Sequence, residues 1–74
     1  MAQKKLNTEV AGSVSKIHFE IGSDVAEGDE VAIVESMKME IPVSAPCAGR
    51  IAEIRVKEGD VVIEGQLVAV IETA

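Results

Sequence analysis

The sequence predicts an all-β fold, a flattened barrel or sandwich of about eight short antiparallel strands with an internal pseudo-twofold repeat. Three observations support this prediction: the chain repeats itself, apolar residues alternate as in strands at the same place in each repeat, and glycines recur at turn spacing. No helix is predicted, because glycines interrupt every candidate segment before a helical period has lasted for three turns.

The repeat is found when the 74-residue chain is shifted against itself by 37 positions. Residues 11–35 then align with residues 48–72 without a gap, and 10 of these 25 positions are identical. Composition alone would give about two identities, so the match indicates a true repeat. Two copies are too few for a solenoid, and we expect two halves around one core. We predict a single domain over 8–74, preceded by an N-terminal extension or first-strand lead-in over 1–7.

The first strand of each repeat has strand-like alternation with one irregularity. Ile17 and Phe19 alternate with polar residues, and this pattern recurs over 51–56. His18, in that strand, is expected to face solvent rather than to act in catalysis. Val14 lies three residues before Ile17, and the second repeat has the same spacing. This shared break in phase predicts a bulge in both halves.

The remaining elements follow from turn residues and apolar runs. The β-branched runs 31–34 and 68–71 are predicted to form the most buried strands. Pro42 cannot donate to a ladder, so its strand should be an edge strand or irregular. Four glycines are predicted to lie in turns, where a positive φ is often needed: Gly22, Gly28, Gly59 and Gly65.

Composition excludes several classes of function. The chain has a net charge of −6, one Phe and no Trp or Tyr. A protein that binds nucleic acid or an anionic membrane normally carries a positive charge, so both classes are excluded. We expect no signal peptide and no membrane span. Cys47, the lone cysteine, favours a reducing, cytoplasmic compartment, and with one histidine it cannot complete a four-ligand zinc site. A deep pocket does not fit easily in so short a chain, so we expect no catalytic residues. We also expect no metal.

The segment between the halves has no counterpart in the repeat. Met37 and Lys38 lie between two predicted strands and should form the tip of a tight antiparallel hairpin. Such tips favour Asn-Gly or Gly-Gly, whereas this one carries a lysine between two methionines. Exposed methionines would offer a soft apolar surface for recognition. The alternative is a surface lysine whose neighbours, Met37 and Met39, fold back onto the barrel.

The residues around Lys38 resemble the attachment motif of a known family. The segment 35–40 resembles the biotin attachment motif of biotin carboxyl carrier domains, whose core is Met-Lys-Met, and the resemblance covers about residues 8–73. It implies the barrel-sandwich fold of biotinyl and lipoyl carrier domains, with biotin joined to Lys38 through an amide. The ungapped repeat leaves no room for an inserted thumb loop, so the chain looks thumbless. The ligase-recognition motif implied by the resemblance consists of Glu35, Ser36, Met37, Met39 and Glu40.

The resemblance implies a non-catalytic carrier in a multi-component, biotin-dependent carboxylase. A lysine amine is almost entirely protonated at neutral pH, and nothing in the sequence activates Lys38, so a biotin protein ligase would acylate it. The biotin on Lys38 would then shuttle carboxyl groups as carboxybiotin from a biotin carboxylase to a carboxyltransferase. An acyl-CoA carboxylase, such as the acetyl-CoA carboxylase of fatty acid biosynthesis, is the expected setting. The isolated domain is expected to be a monomer.

Two alternative functions remain open. One is a lipoyl carrier domain of a 2-oxoacid dehydrogenase-type complex, although lipoyl lysines usually lie in an Asp-Lys-Ala context. The other is an unmodified structural hairpin domain. The acceptor (acetyl-CoA, propionyl-CoA, pyruvate or another) is determined by the carboxyltransferase.

Overall fold

Eight antiparallel strands make up the secondary structure of residues 2–73. A computed structural model describes residues 2–73, and within that range no helix is present. The strands form two four-stranded sheets that share one core and do not close into a barrel, which confirms the predicted fold class. The strands are β1 (Ala2–Asn7), β2 (Gly12–Ile17), β3 (Asp24–Val25), β4 (Glu30–Ser36), β5 (Met39–Ser44), β6 (Gly49–Ile54), β7 (Val61–Val62) and β8 (Leu67–Thr73).

The two sheets are related by the same 37-residue shift as the sequence. Each strand of the first half recurs in the second half with both bounds raised by 37, so β1 corresponds to β5 and β4 to β8. The terminal sheet has the strand order β1-β8-β6-β3, and the hairpin sheet has the order β5-β4-β2-β7. Exchanging the halves converts one order into the other, which confirms the pseudo-twofold repeat. The structural repeat also includes 2–7 and 39–44, where no residue is identical.

The predicted bulges are present in both halves. The register of β2 against β4 shifts between Val14 and Lys16, and that of β6 against β8 shifts between Ile51 and Glu53. Each bulge places an extra residue in the strand, so Val14 and Ile51 both reach the core. His18 is exposed as predicted, but its assignment to the strand was wrong. β2 ends at Ile17 because the chain turns away after the His18 amide donates to the Val31 carbonyl.

The core is aliphatic and is built mostly from β4 and β8. Val31, Ala32 and Val34 of β4 are buried, as is the whole run 68–71 of β8, which confirms the predicted burial of both runs. Phe19 and Cys47 pack against the edge of this core and are partly buried. Thr8 is a buried polar residue, and its hydroxyl both donates to the Val10 carbonyl and accepts from the Val10 amide. The core therefore contains no titratable group among the described residues that could act in catalysis.

Glycines have two distinct roles in this fold. The four predicted turn glycines all have positive φ, between 84° and 94°, which confirms their assignment. Gly12 and Gly49 instead lie where strands approach closely: a Cβ on Gly49 would be 2.5 Å from the Glu72 carbonyl oxygen, and one on Gly12 would collide with the Glu35 carbonyl. Glycine at position 12 thus lets β2 pack against β4 beside the hairpin tip. Pro42 lies in β5, an edge strand, as predicted.

Candidate functional site

The hairpin formed by β4 and β5 ends in a two-residue turn. Ser36 and Met39 are its last paired residues, so Met37 and Lys38 occupy the tip, as the sequence predicts. Met37 has a φ of 52° and Lys38 a φ of 65°. Positive φ at both central residues is the signature of a type I′ turn, whose twist matches that of the flanking strands. The hairpin thus presents Lys38 from a tightly closed, regular ladder.

Met37 and Lys38 are unfavourable residue types for the backbone conformation of the tip. Left-handed φ values cost an L-residue roughly 1–2 kcal/mol, and type I′ turns therefore favour Asn and Gly. Met37 and Lys38 are the only non-glycine residues with positive φ in the described chain. Such strain persists where the surrounding structure imposes it, and it clusters at functional sites. Here the pairing of β4 with β5, which runs up to the Ser36–Met39 pair, imposes the strain on the tip.

The side chains of the tip point into solvent. Met37 is 92% exposed and Met39 is 63% exposed, so the alternative in which both fold back onto the sheets is wrong. Lys38 is exposed as well. Among residues 2–73 the ion pairs are Arg50–Asp24 and Arg55–Glu53, and Lys38 takes part in neither. A docking enzyme can therefore reach the Lys38 amine without breaking an ion pair in this part of the chain.

The other predicted motif residues lie immediately behind the tip. Glu35 and Glu40 are cross-strand partners and both are exposed, while Ser36 is half-buried. Directly opposed residues have Cβ atoms about 4.5–5.5 Å apart, and like charges at that separation are destabilising. The structure therefore brings together all six residues from Glu35 to Glu40, with two carboxylates on the outer face of the hairpin sheet.

Two exposed apolar residues near this site were not predicted. Val61 and Ile63 flank the buried Val62 and are 79% and 67% exposed. The sequence did contain a signal, because the repeat aligns them with Asp24 and Ala26, which are polar and small. A comparison of the two halves position by position, looking for differences instead of identities, would have found them.

No cluster of three or more His, Cys, Asp or Glu side chains that could hold a metal ion occurs among residues 2–73. Cys47 and His18 lie apart from the tip, on the edge of the core and beyond the end of β2. An open groove separates the edge strands β1 and β5, with Leu6 and Val43 among the residues that line it.

No helix in the described range is long and apolar enough to cross a membrane.

Comparison with known proteins gives consistent matches. A family described as Biotin_lipoyl, biotin-requiring enzyme, matches residues 4–71. The biotin/lipoyl attachment protein of Bacillus subtilis (strain 168) is 48% identical over 40 residues, which cover 54% of this chain and 55% of the relative. The biotinylated protein TB7.3 homolog of Mycolicibacterium smegmatis (strain ATCC 700084 / mc(2)155) is 43% identical over 40 residues, which cover 54% and 56%. The aligned segments thus span about half the length of these curated relatives.

Solved structures match over almost the whole chain. Kluyveromyces lactis urea carboxylase superposes with a TM-score of 0.91 at 39% identity, and a single-chain, multi-domain long-chain acyl-CoA carboxylase with a TM-score of 0.90 at 29% identity. Each match covers 97% of this chain but only 6% and 7% of the respective carboxylase chains. The fold of this chain is therefore similar to one small part of each large carboxylase. With a family match over residues 4–71, the chain belongs to the Biotin_lipoyl family.

Proposed function

We propose that this chain is a biotin carrier and that biotin is joined covalently to the side chain of Lys38. The observation that carries the proposal is an exposed lysine, flanked by exposed Met37 and Met39, at a strained two-residue tip in a member of the Biotin_lipoyl family. The similarity to parts of a urea carboxylase and a long-chain acyl-CoA carboxylase supports biotin over lipoate as the attached group.

The tip fits an acceptor that is modified by another enzyme. Met37 and Lys38 are both exposed at the hairpin tip, and we propose that a separate enzyme, a biotin protein ligase, supplies the activated carboxyl group. The deprotonated Nζ of Lys38 attacks the carbonyl carbon of the biotinyl adenylate. A new amide C–N bond replaces the bond to the adenylate, AMP leaves with the electron pair, and the amine loses a proton to solvent. Glu35, Ser36, Met37, Met39 and Glu40 are the residues we propose the ligase recognises.

The carrier contributes position rather than bond-making. Bound biotin supplies a ring nitrogen that accepts and releases a carboxyl group. The β4–β5 hairpin is a rigid mount for the lysine side chain. The extended side chain keeps the attached biotin at an effective concentration of about millimolar near two active sites that it visits in turn. We propose that these sites belong to a biotin carboxylase and a carboxyltransferase of an acyl-CoA carboxylase, with acetyl-CoA as the first acceptor to test. Urea is the second acceptor to test, because the urea carboxylase is 39% identical to this chain.

Biotinylation in vitro tests the proposal. The chain is incubated with biotin, ATP and a purified biotin protein ligase, and its intact mass is measured. We expect one added biotinyl group in the wild type and none in Lys38→Arg, which keeps the charge. Lys4, Lys5, Lys16 and Lys57 are also exposed and serve as internal controls that should stay unmodified.

Two outcomes would contradict this assignment. A wild-type chain that gains no mass would exclude biotin, and a Lys38→Arg variant that still gains mass would exclude Lys38. A parallel reaction with lipoic acid, ATP and a lipoate ligase tests the lipoyl alternative, and we expect no lipoylation there.

A further inference from the structure

The exposed apolar residues of this protein are concentrated near the hairpin tip. Five large hydrophobic side chains are exposed among residues 2–73, and four of them are Met37, Met39, Val61 and Ile63. The fifth, Ile21, lies in the loop before β3 of the terminal sheet. Scattered exposed hydrophobic residues need no explanation, but a cluster beside a functional residue does.

The strand register places Val61 and Ile63 on the same end of the hairpin sheet as Lys38. Val61 pairs with Ser13, and Ser13 pairs with Glu35, so Val61 lies in the same cross-strand row as Glu35 and Glu40, the second row behind the tip. With neighbouring strands about 4.8 Å apart, Val61 is roughly 10 Å from Glu35 across the outer face. Ile63 lies two residues further along the chain, in the direction of the tip. Val62 between them is buried, which fixes the outward direction of both side chains.

The internal repeat shows that the fold does not need apolar residues here. The equivalent positions of the first half are Asp24 and Ala26, which flank the buried Val25 as Val61 and Ile63 flank Val62. All four residues are exposed. The local backbone therefore accepts an acid and an alanine at these two positions. Only the second half, whose β7 lies in the hairpin sheet with Lys38, has large apolar side chains there.

The charges around the exposed apolar residues indicate which kind of protein surface would bind there. The cluster is bordered by exposed carboxylates from Glu35 and Glu40 on the hairpin and from Asp60 and Glu64 beside the apolar pair. A complementary protein surface would have an apolar centre flanked by basic side chains.

Resting on the proposed function, we propose that Met37, Val61 and Ile63 form one docking surface for the ligase that acylates Lys38. Met39 pairs with Ser36 and precedes the outward-facing Glu40, so it points to the opposite face of the hairpin and is not part of this surface. The ligase must bind the chain before any biotin is attached, so all of its affinity and specificity come from the protein surface. It must also distinguish Lys38 from four other exposed lysines, and contacts beyond the two-residue tip would help it to do so. Apolar contacts at Val61, about 10 Å across the sheet from Glu35, supply such a second point of attachment.

Steady-state biotinylation, measured over a range of chain concentrations, tests this docking surface. The variant carrying Val61→Asp and Ile63→Ala copies the residues of the first half, and we expect its KM to rise at least tenfold with kcat within twofold of wild type. The mirrored control carries Asp24→Val and Ala26→Ile, and we expect its kinetics to match wild type. A second variant, Val61→Thr with Ile63→Thr, removes apolar atoms without adding charge and should also raise KM.

The outcomes separate this inference from the proposed function. If the wild type is not biotinylated at all, the proposed function fails. If the wild type is biotinylated and both surface variants keep its KM, the docking surface is overturned, and a defect confined to later carboxyl transfer would assign it to a carboxylase instead. A fall in kcat at unchanged KM overturns it too. Circular-dichroism melting checks folding, and loss of the fold in both variants would show that the pair is structural, which also overturns the inference.

Discussion

At the level of single residues, the residue types at and next to the tip lower the local stability of the hairpin. Met37 and Lys38 both adopt left-handed backbone conformations that favour Asn and Gly, and the carboxylates of Glu35 and Glu40 face one another directly behind them. Each feature is unfavourable for an isolated hairpin. Both features occur within four residues, Glu35, Met37, Lys38 and Glu40, which agrees with the proposed role of this segment in recognition and modification.

Replacing Met37 should reveal the strain. We expect Met37→Asn to raise the free energy of unfolding by about 0.5–1 kcal/mol, because Asn tolerates left-handed φ and is favoured in type I′ turns. Met39→Asn is the matched control, since Met39 has no positive φ and should gain nothing. Urea unfolding measures both variants. Equal stability of Met37→Asn and wild type would show that the tip stores no strain.

At the scale of elements, much of the fold could be predicted because its signals are local. The bulges appear as a break in period two before Ile17 and Ile54, and the turn glycines appear at fixed offsets in both repeats. The hairpin tip followed from the two predicted strands on either side of Met37 and Lys38. Each of these signals is a constraint of backbone geometry on the residue type at one position.

The equivalence of β1 and β5 could not be predicted. Residues 2–7 and 39–44 share no identity, because edge strands have one face in solvent and only Leu6 and Val43 point into the core from equivalent positions. The exposure of Val61 and Ile63 was missed for a related reason. The run 61–63 is apolar throughout and looks like core in the sequence. Only the register of β7 shows that Val62 faces inward and that its two neighbours face outward.

The two most buried strands should tolerate truncation poorly. Val31→Ala and Val68→Ala are each expected to lower the free energy of unfolding by about 1–3 kcal/mol, because both side chains are 1% exposed and would leave cavities. Val61→Ala removes the same atoms from an exposed position and should change stability by less than about 0.5 kcal/mol. Losses near zero for both buried valines, measured by urea unfolding, would contradict the described core.

At the scale of the whole molecule, one fold unit of about 35 residues is used twice around a single core. The repeat lets 74 residues build two sheets with a buried aliphatic interior, and it leaves the two residues of the tip between the halves. The proposed carrier role needs a stable mount and an accessible attachment point, and the two sheets with the exposed Lys38 at the hairpin tip fit both requirements. Net charge and composition permit this function but do not specify it.

The covalent state of Lys38 in the cell decides whether this protein is a biotin carrier. Protein purified from its native source can be digested and mapped by mass spectrometry. We predict that the peptide containing Lys38 carries one biotinyl group and that the peptides containing the other lysines carry none. A native Lys38 that is unmodified, or that carries a lipoyl group, would contradict the proposed function.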